Sequence, residues 1–191
     1  MTINTDTPAY IVDGVLTDGE AWVALGTTTV SGTSTDEVNF ESSTGANDWS
    51  QYMNLFLISY SNSEDAYLRI QLNDDTTSNY IVQQWDGAPS PESASSYYAT
   101  SNAVLGQSII PTESTDIMTA GITTIYNINS GAHKTIRSDI RTANTDVSMY
   151  GVRWQNQAPV TKVTFMMTTA GNFEAGSRFD VFGILPRMVT A

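Results

Sequence analysis

The chain contains no cysteine, which excludes disulfide staples, thiolate catalysis and cysteine-ligated zinc. It leaves the compartment open among cytosol, cell exterior and virus particle. Histidine is almost as scarce: His133 is the only one, and a single imidazole cannot build a histidine-rich metal site. A nucleophile triad would have to use it, yet there is no G-x-S-x-G elbow. Beside Lys134, at the start of a candidate strand, His133 reads as a surface or turn residue. No apolar run approaches the roughly 18 residues of a membrane helix. The opening "MTINTDTPAY" has neither a basic segment nor an apolar core, so no secretory signal is expected. A phosphate-binding glycine loop ahead of a helix is also missing. The 20 acidic residues guarantee that some carboxylates lie close together, but no pattern marks a pair for glycoside cleavage. No catalytic, cofactor-binding or metal-ligating residue is assigned, and the expectation is a protein that binds or builds.

What is present favours strands. Thr, Ser, Asn, Gly and Tyr are abundant, and β-branched and aromatic side chains pack well on a pleated surface. With 191 residues and 40% apolar content, one domain can bury about 70% of the surface its unfolded chain exposes. The net charge is −12, unevenly spread. Residues 1–116 hold sixteen acids against one base, Arg69, while residues 117–191 hold four acids and seven bases. Such a balance reads as a solvated, repulsive surface or as opposite faces that meet in an assembly. Nucleic acid is a poor partner, because each phosphate contact needs a cation.

From about residue 50 short strand candidates alternate with turns. "YMNLFLISY" (52–60) reads as a buried strand. "AYLRIQL" (66–72) places Leu68, Ile70 and Leu72 inward and Arg69 and Gln71 outward, and "YIVQQW" (80–85) is its return strand. Between them "NDDTTSN" offers oxygen ligands for calcium. It lacks the glycine and terminal glutamate of an EF-hand loop, so it reads as a turn. Further strands are expected near 96–99, 108–110, 121–128, 133–140, 147–154 and 160–169. Their spacing predicts an all-β, antiparallel β-sandwich. "DWSQYMNL" offers at most a turn or two of helix after an aspartate cap.

Residues 1–36 read as an N-terminal arm or hairpin, and residues 37–191 as the sandwich. Turn signals stand at Asp13-Gly14 and Asp18-Gly19, and a flexible link is expected at about 31–36. The alternative is that this segment supplies the first sandwich strand. Tyr10, Ile11, Val12, Trp22 and Val23 are the expected contacts to a neighbouring subunit or other partner. Among aromatics, Trp85, Tyr97, Tyr98 and Trp154 could stack on sugars or fill the core. At the other end, "GNFEAGSRFDVFGI" (171–184) predicts a glycine-punctuated loop around Phe173 and a closing strand covered on both faces, ended by Pro186.

Three stretches share an order with a known family. "LRIQLNDDTTSNYIVQQWDG" (68–87), "HKTIRSDI" (133–140) and "GNFEAGSRFDVFGI" (171–184), with "QAPVTKVTFMMTTAG" before the last, resemble jelly-roll-like structural proteins of tailed bacteriophages. That family includes capsid decorations, head fibres and tail appendages. The likeness spans roughly residues 38–185 and leaves the arm outside. It implies a jelly-roll-like sandwich in which Phe173 and Phe179 anchor the closing strand while Gly176 and Gly183 allow its tight geometry. The shortness of the chain, its arm and its segregated charge favour a capsid decoration or cement protein. Such a protein would be a homotrimer bound to the major capsid protein on the outer head, made in the host cytoplasm. No cofactor, nucleic acid or membrane is expected. The rival expectation is a tail or head-fibre component binding host-surface glycans through Trp85, Tyr97 and Tyr98. A cellular carbohydrate-binding or hydrolytic sandwich is a third reading, against which the motif order argues.

Overall fold

Two-residue periodicity runs through almost every ordered stretch of the computed structural model, which describes residues 10–12, 15–17, 22–61, 67–87, 93–107, 119–141, 147–167 and 171–186. The strands are β1 (Tyr10–Val12), β2 (Val15–Thr17), β3 (Trp22–Thr29), β4 (Glu37–Glu41), β5 (Tyr52–Ser61), β6 (Tyr67–Leu72) and β7 (Tyr80–Gly87). They continue as β8 (Ser93–Thr100), β9 (Ala103–Gln107), β10 (Thr119–Tyr126), β11 (Lys134–Arg141), β12 (Val147–Trp154), β13 (Lys162–Met167) and β14 (Arg178–Pro186). Among the described residues, the helical elements are two short 3-10 turns, at Gly45–Asn47 and Trp49–Gln51. Asp48 caps the second by accepting from the Ser50 amide at 2.9 Å.

An eight-stranded sheet, in the order β3-β14-β5-β10-β11-β12-β7-β8, faces a four-stranded one, β4-β13-β6-β9. All neighbours pair antiparallel. From β4 onward the chain passes repeatedly between the two sheets. With the β10-β11-β12 meander counted as one, β4 to β13 supply eight strand positions, and the chain changes sheet six times among them, as in a jelly roll of two Greek keys. The fold is therefore an all-β, jelly-roll-like sandwich.

Alternation places the core between the sheets. Val38, Phe40, Leu68, Ile70, Leu72, Val163 and Phe165 come from the small sheet; Leu55, Leu57, Val82, Ile136, Val152, Phe179 and Val181 come from the large one. Phe179 packs 4.7 Å from Phe165 and 4.6 Å from Phe173, ring centre to ring centre. Each such aromatic pair adds about 0.5–1.5 kcal/mol beyond its buried area. Phe173 and Phe179 are fully buried, as the motif resemblance implied.

The arm expected over 1–36 is corrected in its second half. Trp22–Thr29 is an edge strand of the large sheet, in register with β14 from Trp22↔Ile184 to Thr29↔Arg178. The outer edge of β14 needs a partner for its backbone groups, and the alternating Val23 and Leu25 pack against the core. The alternative reading, a first sandwich strand, is the one that forms. The link at 31–36 is tied down as well: Thr35 and Phe173 exchange backbone hydrogen bonds of 3.1 and 2.7 Å, and Val30 pairs with Ser177 and Gly176. β1 and β2 form a separate two-stranded hairpin. β4 and β9 have no counterpart among the expected strands, and the strand expected at 108–110 lies outside the described residues.

Gly183 faces Tyr52. A Cβ added there would sit 2.5–2.7 Å from three ring carbons near the base of the Tyr52 side chain, where the ring cannot swing away. We expect Gly183→Ala to cost about 1–3 kcal/mol through overpacking. Chemical denaturation of the variant beside the parent protein checks this; a loss below about 0.5 kcal/mol would mean that the strand shifts freely.

Candidate functional site: the open face of the large sheet

One face of the large sheet is buried under the small one. The register arranges the opposite face into rows that cross the strands. One row reads Trp85, Met149, Asp139, Ile122, Ile58, Asp180 and Thr27. The next reads Ser96, Gln83, Gly151, Arg137, Thr124, Phe56, Phe182 and Ala24.

These rows have two chemically different ends. At the β3-β14-β5-β10 end Trp22 lies edge-on 4.7 Å from Phe56 and 6.3 Å from Phe182. Trp22, Tyr60 and Ile122 are 48%, 43% and 49% exposed. Tyr60 and Ile122 stand farther along the strands, opposite Arg178 and Asp139 respectively; exposed apolar side chains of this size are candidate contacts for a partner. At the β11-β12-β7 end a shallow groove of about 530 Å³ runs past Gln83, Trp85, Arg137, Met149 and Gly151. A second hollow of about 430 Å³ shares Gln83 and Gly151 and continues to Ile81, Thr135 and Arg153. Arg137 Nε lies 3.3 Å from Asp139 Oδ2, an exposed pair that contributes little to stability. Arg153 has no carboxylate partner among the described residues.

Trp85 lines the groove and is 46% exposed. Tyr97 and Tyr98 lie in the neighbouring β8, Tyr97 opposite Val82; their side chains are outside what is described. Trp154 is no stacking platform. It is fully buried against Tyr80, with ring centres 6.3 Å apart. Of the expected arm contacts, Trp22 is on the apolar end of the open face, and Val23 packs on the core. Tyr10, Ile11 and Val12 form β1, whose side chains lie outside the described residues. His133 is an exposed loop residue. Its neighbour Lys134 is fully buried, its ammonium donating to the Ala132 and Gln157 carbonyls, and burial lowers its pKa. Sequence reasoning missed Gln83, Arg137, Gly151, Phe56 and Phe182. The available signal was the glycine at the centre of "VSMYGVRW".

Fold and face together define a jelly-roll-like sandwich whose large sheet has an open face with two chemically different ends. The chain matches no protein-family model and no curated protein, so this surface is read from its own geometry.

The turn weighed for calcium is spent on protein contacts, and no group of three or more metal-ligating side chains occurs among the described residues. Asp75 Oδ2 accepts from Trp154 Nε1 at 2.8 Å and Asn79 Nδ2 at 2.9 Å; Oδ1 accepts from the Thr77 amide at 3.0 Å and the Thr77 hydroxyl. Asn73, at φ 52°, accepts from the Thr161 and Lys162 amides at 2.8 and 3.0 Å. Burial alone would raise the Asp75 pKa, but the bonds from Asn79, Thr77 and Trp154 outweigh it and hold the carboxyl well below the usual range. A depressed native pKa means stability that is complete above the unfolded-state value of about 3.9 and is lost as pH falls toward the native value. Asp75→Asn is expected to lose about 1–3 kcal/mol at pH 7 and to flatten the acid limb of a stability–pH profile. An unchanged acid limb would show that Asp75 is not the group responsible.

Proposed function

We propose that this protein is a structural component of a tailed-bacteriophage virion, a decoration protein that binds the outer head surface and stabilises it. The observation that carries this reading is the aromatic contact set of Trp22 with the half-buried Phe56 and Phe182 on the open face, Trp22 itself 48% exposed. The motif order and the jelly-roll path support it. The cluster is the apolar centre that a stable interface needs, within a typical total buried area of about 1,200–2,000 Å². The mechanism is mechanical. Binding to the assembled lattice of the major capsid protein and not to its separated subunits shifts the equilibrium toward the closed shell by mass action. A homotrimer would multiply each weak contact through shared attachment.

A second reading, host-glycan recognition by a tail or head fibre, is favoured by the exposed Trp85 beside Gln83 and Arg137. Pockets for small ligands combine an apolar wall with a few placed polar groups, and this groove has both.

Electron microscopy of intact particles labelled against this chain separates the two locations: label over the head supports decoration, and label confined to the tail supports recognition. Particles depleted of the protein are expected to lose heat resistance, and unchanged survival on heating would refute the stabilising role. Trp22→Ser is expected to weaken rebinding to depleted heads by roughly thirty-fold, the equivalent of about 2 kcal/mol for an aromatic anchor. Wild-type rebinding by this variant would move the interface elsewhere.

A further inference from the structure

The centre of β12 holds a glycine that neither packing nor backbone geometry requires. Gly151 is not among the positive-φ residues, and a methyl group added to it would meet no atom within 4 Å. Its counterparts differ: a Cβ at Gly121 or Gly183 would strike Ile140 or Tyr52 at under 3 Å. Glycine weakens the interior of a strand. Where packing does not demand it, it marks a place where something else approaches the backbone.

The register identifies what surrounds that gap. Gly151 lies between Gln83 on β7 and Arg137 on β11. One row away on one side stand Trp85 and Met149; one row away on the other stands Arg153. The two hollows adjoin at Gly151 and Gln83, which line both, and together they form a trough. The hollow beside Trp85, about 530 Å³, is in the size range of small-ligand sites. Trp85, 46% exposed, leans its ring over the gap at Gly87 and forms an apolar end wall to this hollow, against which the C–H side of a sugar ring can lie. Arg137 and Arg153 are diagonal neighbours across β11 and β12, a spacing of roughly 7–8 Å that long side chains bridge easily. Asp139 lies against Arg137 at Nε, which leaves the terminal guanidinium nitrogens for another acceptor. Two arginines against one aspartate make this trough cationic in a chain of net charge −12. Planar guanidinium groups are suited to carboxylates, which they bind through paired, charge-assisted hydrogen bonds.

We propose that the trough over Gly151 binds a carboxylated sugar, its ring against Trp85, its hydroxyls at Gln83 and its carboxylate between Arg137 and Arg153. This deepens the glycan-recognition reading and rests on it; it does not depend on where in a virion the protein sits.

The test is calorimetric titration of the full-length protein with two acidic probes, sialyllactose and oligogalacturonate. Lactose and neutral galactan serve as the uncharged comparisons. At least one acidic probe should bind ten-fold or more tightly than its neutral counterpart. Arg153→Gln should remove most of that preference, and Trp85→Ala should remove binding of both kinds. Gly151→Leu should abolish binding while leaving the thermal midpoint at or above the parent value, because the added side chain meets open space. Should Leu disturb the sheet, Gly151→Ser fills less of the trough and is expected to weaken binding about ten-fold. Equal binding of neutral and acidic probes would overturn the carboxylate assignment and leave glycan recognition standing. No binding of any sugar would overturn both. Binding of polyglutamate as tight as that of the acidic sugars would reassign the trough to acidic peptides. Unchanged affinity in a folded Gly151→Leu variant would show that the ligand sits elsewhere.

Discussion

The closing strand β14 is the constraint on which most of this structure depends. It is inserted between β3 and β5, so the two strands that hold the aromatic end of the open face meet only through it. Its residues divide their duties by parity. Phe179 and Val181 point inward and are fully buried, with Phe179 between Phe165 and Phe173. Phe182 points outward toward Trp22. Asp180, buried on that outward face, is a charge that would be costly alone. It accepts from Thr27 Oγ1 at 2.6 Å and from the Arg178 guanidinium at 2.9–3.1 Å. The strand thus joins core, sheet edge and surface, and its glycines serve that role. Gly176 turns the chain at φ 94°, and Gly183 makes room for Tyr52.

Much of this was legible beforehand because it is local. The inward set Leu68, Ile70 and Leu72 is fully buried, with Arg69 and Gln71 on the other side. The strand expected at 147–154 is β12, residue for residue. Elements whose stability is tertiary were harder. β4, "EVNFE", looks too polar to be a strand until β13 pairs along it and Phe165 packs on Phe40. β9 is carried by Leu105 and Ala103, and its register with β6 is broken by a bulge. β3 was misassigned because "GTTTVSGTST" reads as a flexible polar tract, and only the unpaired edge of β14 makes it a strand.

The candidate site was less legible still, for a physical reason. An aromatic residue announces itself, so Trp85 was named; but sequence cannot separate a tryptophan that faces water from one that faces the core. Trp154 differs from Trp85 in that the Asp75 carboxylate, far away in the chain, accepts from its indole N–H at 2.8 Å and lets the ring be buried without loss. Gly151, Gln83 and Arg137 have no meaning one at a time. They become a trough only through the pairing of three strands that are not all consecutive, β7, β12 and β11.

The uneven charge along the chain becomes a spatial division by the same route. The C-terminal bases Arg137, Arg141 and Arg153 lie on exposed outward positions of β11 and β12, and Arg178 begins β14. Glu37 and Glu41 are exposed on the small sheet, the latter paired with Lys162 at 3.2 Å, and Asp36 precedes them. On the small sheet Glu37, Glu41 and Asp36 are largely offset by Lys162 and Arg69, so it is the open face of the large sheet that combines an excess of cations with apolar rings. A surface that must attach benefits from that composition, because apolar area supplies the attraction while long-range charge selects orientation during approach. A decoration protein and a glycan-binding fibre make opposite demands on the open face, since the first covers it and the second must leave its trough accessible. The two-ended layout meets both, with the rings around Trp22 at one end and the arginines around Gly151 at the other, so attachment at the first need not close the second.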